Sequence, residues 1–416
     1  MRFLFLNDPI FILLILPVIV GKSLILNAQE DSIDLKHSTT RDFQRISVFP
    51  AISYTPETKI TLGAIGYYFM DLSKGGKKSD LSNINFLIIY TTAKQVAIES
   101  KFELYFDSNN WRSRGEIFYN HYPDRNYGVG NDASVSIAEY RSGPENPPDT
   151  INYLSVNTDR IKFSPTLLRL IKPNLYLGLQ TDIEYIYNYR PLYKHKYLDG
   201  DSTLISEFSA NGLRSGIGLQ MLFDSRDNIL NPLKGYLVEF GSMHYGSVTL
   251  SDFSFNSYRI DARAYYNPVL NHTIALQTVF DFREGEGPYA LRTLGRIGGR
   301  DFLRGYFQGT YQDLTLLGFQ IEYRLPFWRE EQESKLWQIW KRLGIAVFAG
   351  TAQVAEVPSD ISLDRFRSSV GGGLRVLFSK ESRVNIRIDY AVGLAKNSDG
   401  NGKRQKGLYF YLSEAF

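Results

Sequence analysis

The segment from residue 297 to residue 306 is rich in glycine and carries one arginine near its tip. Its glycines are Gly298, Gly299 and Gly305, and Arg304 and Tyr306 flank the last of them. The predicted strand that follows the segment carries Glu322. Arginine offers a fixed positive charge and five N–H donors, so the chemistry available to this segment is charge pairing. A long glycine-rich loop is an unusual connection between two barrel strands, and we interpret it as a loop folded back into a barrel lumen.

The sequence lacks the usual patterns of catalytic and metal-binding residues. Its five histidines are not at metal-ligand spacing to one another, and no Gly-x-Ser-x-Gly nucleophile turn occurs. The run Gly371-Gly372-Gly373 follows a strand start and opens no helix, so it is not a phosphate-binding loop. We expect it to allow barrel bending or close approach of the inserted loop. The chain has no cysteine, which excludes thiolate sites and disulfides. We expect no enzyme activity, no metal and no cofactor.

The body of the chain alternates apolar and polar residues with a period of two, which predicts β-strands. In residues 384–392 the even positions are apolar, and residues 96–106 repeat this apart from Ser100. In residues 317–325 the apolar positions are odd. We count about sixteen such segments, each near the 9–11 residues that cross a bilayer as a tilted strand. Their predicted starts are 47, 59, 83, 95, 111, 151, 174, 211, 235, 254, 272, 312, 343, 367, 383 and 407.

The predicted fold class is therefore all-β, a transmembrane antiparallel β-barrel of about sixteen strands with a lumen-inserted loop. Connection lengths agree with it, since short inner turns and long outer loops are typical of such barrels. If the first strand runs outward, every odd-numbered connection between consecutive strands faces outside. The long, polar connections among these are 121–150, 189–210, 284–311 and 397–406. The short even-numbered connections are 107–110, 267–271 and 379–382. The connection at 327–342 is long for an inner turn, and a short helix would account for it.

A soluble β-sandwich has the same alternation and is the alternative fold. An export signal and the number of strands both favour the membrane barrel. So does the aromatic last strand at 407–416, which ends on Phe416 as outer-membrane barrels commonly do. Phe410 and Leu412 share its apolar phase, although Glu414 breaks that phase.

The N-terminus contains the one strongly apolar segment, residues 9–20, which follows Arg2. Ala28 is a small residue suited to a cleavage site, so the pattern predicts a secretory signal peptide. A membrane anchor is the alternative, but the apolar run is shorter than the roughly 20 residues that span a bilayer. The predicted domains are a signal peptide at 1–28, a polar periplasmic segment at 29–46 and the barrel at 47–416. We therefore expect the bacterial cell outer membrane as the location.

Charge balance limits the expected partners. The net charge of +3 is nearly balanced and does not indicate nucleic acid. Outer-membrane lipid and lipopolysaccharide are expected surroundings, and other outer-membrane or periplasmic proteins are possible partners. The basic run at 403–406 lies in the last outer loop, where it either contacts anionic lipopolysaccharide or is a solvated charge cluster.

Several blocks of sequence occur together in the order found in a known family. They are the turn at 224–235, the loop at 298–306, and the segments 322–326, 369–375 and 387–391. Together they resemble the bacterial surface antigen domain, the barrel of the BamA/TamA superfamily of outer-membrane assembly and secretion proteins. The resemblance is specific from about residue 211 to 416, whereas the runs 54–58 and 127–131 add little. The turn contains Asp224, Arg226, Asp227, Pro232 and Gly235. We assign it no chemistry, because its proline and glycine are ordinary turn formers.

The resemblance implies that Arg304 enters the lumen and pairs with acidic side chains of the inner wall. Glu322 lies on the polar phase of its strand and is the expected partner. The family usually places a second acid on the next strand in a Phe-x-Asp pattern, but this chain has Phe348-Ala349-Gly350. The resemblance also implies a weakly closed seam between the first and last strands, here between 47–55 and 407–416.

The function implied is outer-membrane protein assembly or protein translocation, either alone or as a partner of a larger machine. Relatives in this family carry periplasmic POTRA domains before the barrel. Only about seventeen residues separate the predicted cleavage site from the first strand, against a floor of about 50 residues for a domain. We therefore expect a barrel without POTRA domains. A passive pore for small solutes, with the inserted loop as its constriction, is the main alternative. A structural barrel or an outer-membrane enzyme is a third.

Overall fold

The computed structural model describes most of the barrel. The described residues are 45–55, 58–74, 79–132, 154–193, 196–197, 211–229, 231–269, 272–285, 287, 289, 291–326, 342–379, 383–396, 404–412 and 414–416. The predicted signal peptide at 1–28 and the predicted polar segment up to residue 44 lie outside the described residues. So does the helix expected within 327–342, apart from residue 342, and so does residue 403 of the basic run.

Sixteen long strands form the barrel wall. The first eight are β1 (Arg45–Thr55), β2 (Lys59–Met70), β3 (Ser82–Thr91), β4 (Val96–Phe106), β5 (Trp111–His121), β6 (Leu154–Lys172), β7 (Leu175–Tyr193) and β8 (Gly212–Asp224). The others are β9 (Gly235–Tyr245), β10 (Phe255–Tyr266), β11 (Thr273–Glu284), β12 (Thr315–Pro326), β13 (Leu343–Ala355), β14 (Arg367–Ser379), β15 (Val384–Lys396) and β16 (Arg404–Leu412). Each strand pairs antiparallel with the next, and β16 pairs with β1, so the sheet closes on itself.

Short elements fill the connections. Four short strands lie outside the wall sequence: Asp124–Asn126, Lys196–Tyr197, Gly295–Ile297 and Tyr311–Asp313. The helices of the described residues are single 3₁₀ turns: Ser247–Thr249, Leu291–Thr293, Pro358–Asp360 and Leu363–Arg365. Among the described residues, no helix has the length and apolar character needed to cross a membrane.

The period-two pattern decides which side chains face lipid and which face the lumen. On β12, Phe319 and Ile321 are 42% and 46% exposed on the outside, whereas Glu322, the residue after Ile321, is fully buried inside. On β15, Tyr390 faces outward and Asp389 is buried. Apolar side chains on the outer surface are stable only against lipid, and polar ones line the enclosed interior. The fold is therefore the predicted transmembrane barrel, with polar residues packed inside it.

The predicted strand positions agree with the structure, and the prediction of sixteen strands is confirmed. The largest differences in start position are 151 against 154, 312 against 315 and 407 against 404. β1 begins at Arg45, two residues before its predicted start at residue 47. β6 and β7 have 19 residues each, more than the 9–11 that cross a bilayer, so they extend beyond the membrane.

The end of the chain differs from the prediction. The last strand stops at Leu412, and residues 414–416, here called the end segment, turn into the lumen. Phe416 is buried against Tyr265 and Ala275, which face the interior. The prediction that the last strand extends to Phe416 was therefore wrong. Glu414 explains the turn, because a carboxylate on the lipid face would be costly and inside the barrel it meets arginines.

Candidate functional site

The connection between β11 and β12, residues 285–314, is called the inserted loop. Its short strands Gly295–Ile297 and Tyr311–Asp313 pair as a hairpin, and its apolar side chains pack on the inner wall. The members of this packed cluster are Val279, Ile297, Leu303, Tyr306, Tyr311, Leu316, Ala352 and Val354. The loop is thus a folded part of the interior, as the glycine-rich composition predicted.

Two glycines allow the loop backbone to reach the wall. Gly298 has φ of 101° and Gly305 has φ of 108°, a region that strains any residue with a side chain. A Cβ at Gly305 would lie 2.7 Å from the backbone carbon of Val392 on β15. Gly299 donates its backbone N–H to the Tyr306 carbonyl at 3.0 Å, which closes the loop tip. Only glycine fits where the tip touches the wall.

Arg304 at this tip is 1% exposed and lies between two carboxylates. Its guanidinium donates to Glu322 of β12 and to Asp389 of β15. The guanidinium carbon also lies 3.4 Å from the centre of the Phe348 ring on β13, a cation–π contact. The structure therefore places Arg304 against the predicted partner, Glu322. The second acid comes from β15 instead of the strand that follows β12.

Arg304 belongs to a larger group of charges, here called the ion-pair network. Its members are Arg304, Arg324, Arg375, Arg387, Glu322, Asp389, Glu414 and Asp301. Glu322 accepts hydrogen bonds from Arg324 at 2.8 Å and from Arg375 at 3.2 Å. Each carboxylate of the network pairs with at least one arginine, so its opposite charges compensate one another. Charge compensation and dense hydrogen bonding are what allow charges to remain buried in a protein interior.

The glycine run of β14 makes room for the network. Gly371 and Gly373 face inward, and a Cβ at Gly371 would lie 2.5 Å from the Phe348 ring. A Cβ at Gly373 would overlap the Asp389 carboxylate. The run therefore lets the aromatic ring and the carboxylate lie flat against β14, beneath Arg304.

The loop tip is also bound to the last strand. Gly305 donates its backbone N–H to the Tyr409 hydroxyl of β16 at 3.0 Å, and that hydroxyl donates to the Tyr306 carbonyl at 3.3 Å. Gln405 of β16 accepts from the Phe307 backbone N–H at 2.8 Å. Tyr409 is fully buried. The inserted loop thus holds β16 from inside the barrel.

The end segment holds β16 at its other end. Glu414 accepts hydrogen bonds from Arg375 at 2.9 Å and from Asn385 at 2.6 Å. Arg324 donates to the Phe416 carbonyl oxygen at 2.8 Å. The last strand is therefore fastened to the interior by the loop and again by the ion-pair network.

The seam between β1 and β16 is the weakest join of the wall. β1 pairs with β2 through eleven residue pairs, from Arg45 with Phe69 to Thr55 with Lys59. Within the described residues, β1 and β16 share one register pair, Tyr54 with Phe410. Most backbone groups on the facing edges of these two strands consequently have no ladder partner across the seam. Phe410 lies at this seam, and Leu412 ends β16.

The described residues of the turn between β8 and β9, 225–229 and 231–234, are called the floor turn. Arg226 donates to Asp224 through two N–H groups at 2.9 Å each, while Pro232 is buried. Gly235, with φ of 108°, begins β9. Burial raises the pKa of Asp227, but a hydrogen bond from Arg383 and two from backbone amides outweigh it, so the pKa lies below its ordinary value. The side chains of Asp224, Arg226 and Asp227 therefore tie the turn together.

A segment from the connection between β5 and β6 covers the inserted loop from outside. Gly130 donates its backbone N–H to the Gln312 carbonyl at 2.8 Å, and the Gln312 side chain donates to the Gly128 carbonyl at 3.0 Å. Asn131 is buried and donates to the Arg365 carbonyl at 2.7 Å. The aromatic-glycine run at 127–131, weak as a sequence signal, therefore closes the outer side of the lumen above the loop.

The remaining interior contains a polar cavity of about 1110 Å³, lined by β2 to β11 and by Arg292 and Thr293 of the inserted loop. Its described lining carries seven basic and seven acidic side chains, so it has no strong preference for ions of one sign. In the part of the chain that the structure describes, no three His, Asp or Glu side chains are grouped as metal ligands.

Sequence reasoning missed three participants in this site: Asp389, Phe348 and Tyr409. Asp389 lies on the polar phase of 384–392 and within the block 387–391. The alternation therefore predicts that its side chain points inward. Its position beside Arg304 was not predicted, because it depends on how far around the barrel β15 lies from the inserted loop. For Tyr409, the sequence offered only its position between outward-facing apolar residues, which predicts an inward side chain but no contact with the loop.

The fold and this interior define an integral outer-membrane β-barrel whose lumen holds a folded, ion-paired loop. A protein-family model described as the Omp85 superfamily domain matches residues 75–416. The chain belongs to the Omp85 superfamily. It is a protein of the bacterial outer membrane. A comparison with curated proteins finds no match.

We compare the chain with two of the solved structures that have a similar fold. One is BamA from Haemophilus ducreyi lacking POTRA domains 1–3, with a TM-score of 0.55 and 14% identity, over 89% of this chain and 70% of that chain. The other is CdiB from Acinetobacter baumannii, with a TM-score of 0.52 and 10% identity, over 89% of this chain and 60% of that chain. At these identities the likeness is one of fold.

Proposed function

We propose that this protein assembles or translocates other proteins at the outer membrane through its β1–β16 seam. The observation that carries the proposal is the single register pair between Tyr54 and Phe410. A strand edge with unpaired N–H and C=O groups is a template for pairing with another chain. An incoming strand could therefore add to β1 without first breaking a full ladder.

The interior contacts of β16 indicate that the two strands of the seam have different roles, with β16 held in place and β1 open to an incoming strand. Tyr409, Gln405 and Glu414 fasten the last strand to the inserted loop and the ion-pair network. β1 has an unpaired edge and carries apolar Ile46 and Val48 on its lipid face. In this proposal the seam opens while the loop keeps β16 attached to the interior.

The protein would act without enzymatic chemistry and with outer-membrane lipid, including lipopolysaccharide, as its surroundings. Export by the segment 1–28 and a short periplasmic segment at 29–46 form part of this proposal. The chain would act either alone or with other outer-membrane or periplasmic proteins.

A passive pore is the second candidate, favoured by the polar cavity of about 1110 Å³. The inserted loop and the segment around Gly130 narrow the lumen on its outer side. A pore would therefore need its path through the half lined by β2 to β11. Steady ion conductance in planar bilayers, altered by Arg304→Ala, would support this candidate.

The assembly proposal is tested by photo- or thiol-crosslinking from the seam in native membranes. The chain has no cysteine, so Ile52→Cys on β1 gives one reactive site. Ile260→Cys on β10 is the matched control, because the two isoleucines are 37% and 38% exposed and β10 is paired on both edges. We expect client barrel proteins to be trapped at position 52. Equal trapping at both positions would end the proposal.

A seam-closing disulfide gives an independent test. Directly opposed residues of an antiparallel pair have Cα atoms about 4.5–5.5 Å apart, which suits a disulfide. Tyr54→Cys with Phe410→Cys should stop client insertion when oxidised and restore it when reduced. Ile217→Cys with His244→Cys, a register pair inside the β8–β9 ladder, should leave insertion unchanged in both states.

A further inference from the structure

The floor turn is built as a rigid unit. Asp227 accepts hydrogen bonds from the backbone N–H groups of Leu233 at 2.9 Å and Lys234 at 3.2 Å. Asn228 accepts one from the backbone N–H of Asn231 at 2.8 Å. A turn with this internal bonding keeps its shape when it moves, because its polar backbone groups are satisfied by its own side chains.

The floor turn reaches across the periplasmic mouth of the barrel. Asp227 accepts from Arg383 at 2.6 Å, and Arg383 directly precedes β15. Four strands, β10 to β13, lie between β9 and β14 along the wall, so this contact spans the opening instead of joining neighbouring turns. Asn231 accepts from Arg324 of the ion-pair network at 3.5 Å, close to the limit for a hydrogen bond.

The floor turn borders both open spaces of the interior. Asn228 and Ile229 line the cavity of about 1110 Å³. Asn231 and Leu233 line a smaller cavity of about 230 Å³ beneath the ion-pair network. The turn therefore stands between the periplasm and the large cavity, with one of its sides against the network that holds the inserted loop.

We propose that the floor turn is a periplasmic gate of the lumen, latched by the Asp227–Arg383 ion pair. The Arg383 side chain is 35% exposed, so the pair is weak and screened by salt. Because the ion pair is weak and the turn keeps its shape, the turn can occupy two positions. In the closed position it lies against the start of β15, and in the open position it is displaced from β15. The Arg324 contact places the ion-pair network beside the closed position. This inference is independent of the assembly function, because the gate would control access to the lumen whether or not client proteins enter through the β1–β16 seam.

Ion conductance of the purified protein in planar bilayers tests the gate. Asp227→Asn and Arg383→Gln should each raise the fraction of time in the conducting state by about two- to fivefold, the effect expected from losing an exposed pair. Asp364→Asn is the matched control, since Asp364 is exposed and bonds Ser362 of its own outer connection. Unchanged conductance in both single variants would overturn the proposal.

A covalent latch keeps the test valid if a charge variant folds poorly. Asp227→Cys with Arg383→Cys, joined by a short cleavable thiol reagent, should give low conductance while joined. Cleavage in the same bilayer should raise it, which reports on protein already folded and inserted. Conductance that does not change on cleavage would show that the turn does not control access.

Discussion

Glu322→Gln is the substitution that tests the ion-pair network most directly. Glu322 is fully buried, and its carboxylate accepts hydrogen bonds from the guanidinium groups of Arg304, Arg324 and Arg375. Glutamine has nearly the same shape but no charge. The substitution removes one negative charge from the network, and the three arginines that contact Glu322 lose part of their charge compensation in the barrel interior.

The size of the effect follows from the partners that remain. Removing one member of a buried ion pair costs about 3–5 kcal/mol, because the other charge is stranded away from water. Here Arg304 keeps Asp389, while Arg324 and Arg375 keep Glu414. We therefore expect the lower end, about 3 kcal/mol, which is roughly a hundredfold change in the unfolding equilibrium.

Urea unfolding of the protein in lipid vesicles, followed by tryptophan fluorescence, measures this change. The control is Glu239→Gln on β9, which removes the same group from the inner wall. Glu239 pairs with one arginine, Arg114, at 2.7 Å and is 25% exposed to the large cavity, so its loss should cost about 0–1 kcal/mol. If the two variants lose equal stability, the argument that burial makes this network strong is refuted.

Three further predictions concern the packing and charges around the site. Gly371→Ala presses a methyl group against the Phe348 ring and should lower the free energy of unfolding, measured by thermal unfolding, by about 1–3 kcal/mol. Gly372 faces outward, so Gly372→Ala should change it by no more than about 0.5 kcal/mol. Equal losses would contradict the packing argument. Tyr409→Phe removes the hydroxyl that binds Gly305 and should cost about 0.5–1.5 kcal/mol, with faster hydrogen exchange in β16; unchanged exchange would show that the loop does not hold this strand. The depressed pKa of Asp227 means that its charge stabilises the fold above the ordinary aspartate pKa of about 3.9 and is lost as pH falls through the lower folded value. The melting temperatures of the native protein and Asp227→Asn should therefore differ at pH 6 and converge as the pH falls through the lowered pKa of the folded state. A difference that stays constant with pH would contradict the assigned ion pair.

The wall of the barrel could be predicted closely from the sequence, and the path of its interior segments could not. Alternation in 317–325 and 384–392 fixed which faces of β12 and β15 turn inward, because side chains of a strand alternate strictly. The end segment broke this rule, since Glu414 gains arginine partners by leaving the sheet. Such a gain depends on groups distant in sequence and leaves no periodic signal.

The amino-acid sequence by itself determined the strand count, the inward direction of Glu322 and the folded-in character of the loop around Arg304. These follow from local causes, namely the period of the strand and the backbone freedom of glycine. Only the tertiary structure decided that Asp389 is the second acid, that β16 is fastened from inside and that the seam has one register pair. Those features depend on closing the sheet into a barrel, which brings strands together that no local pattern relates.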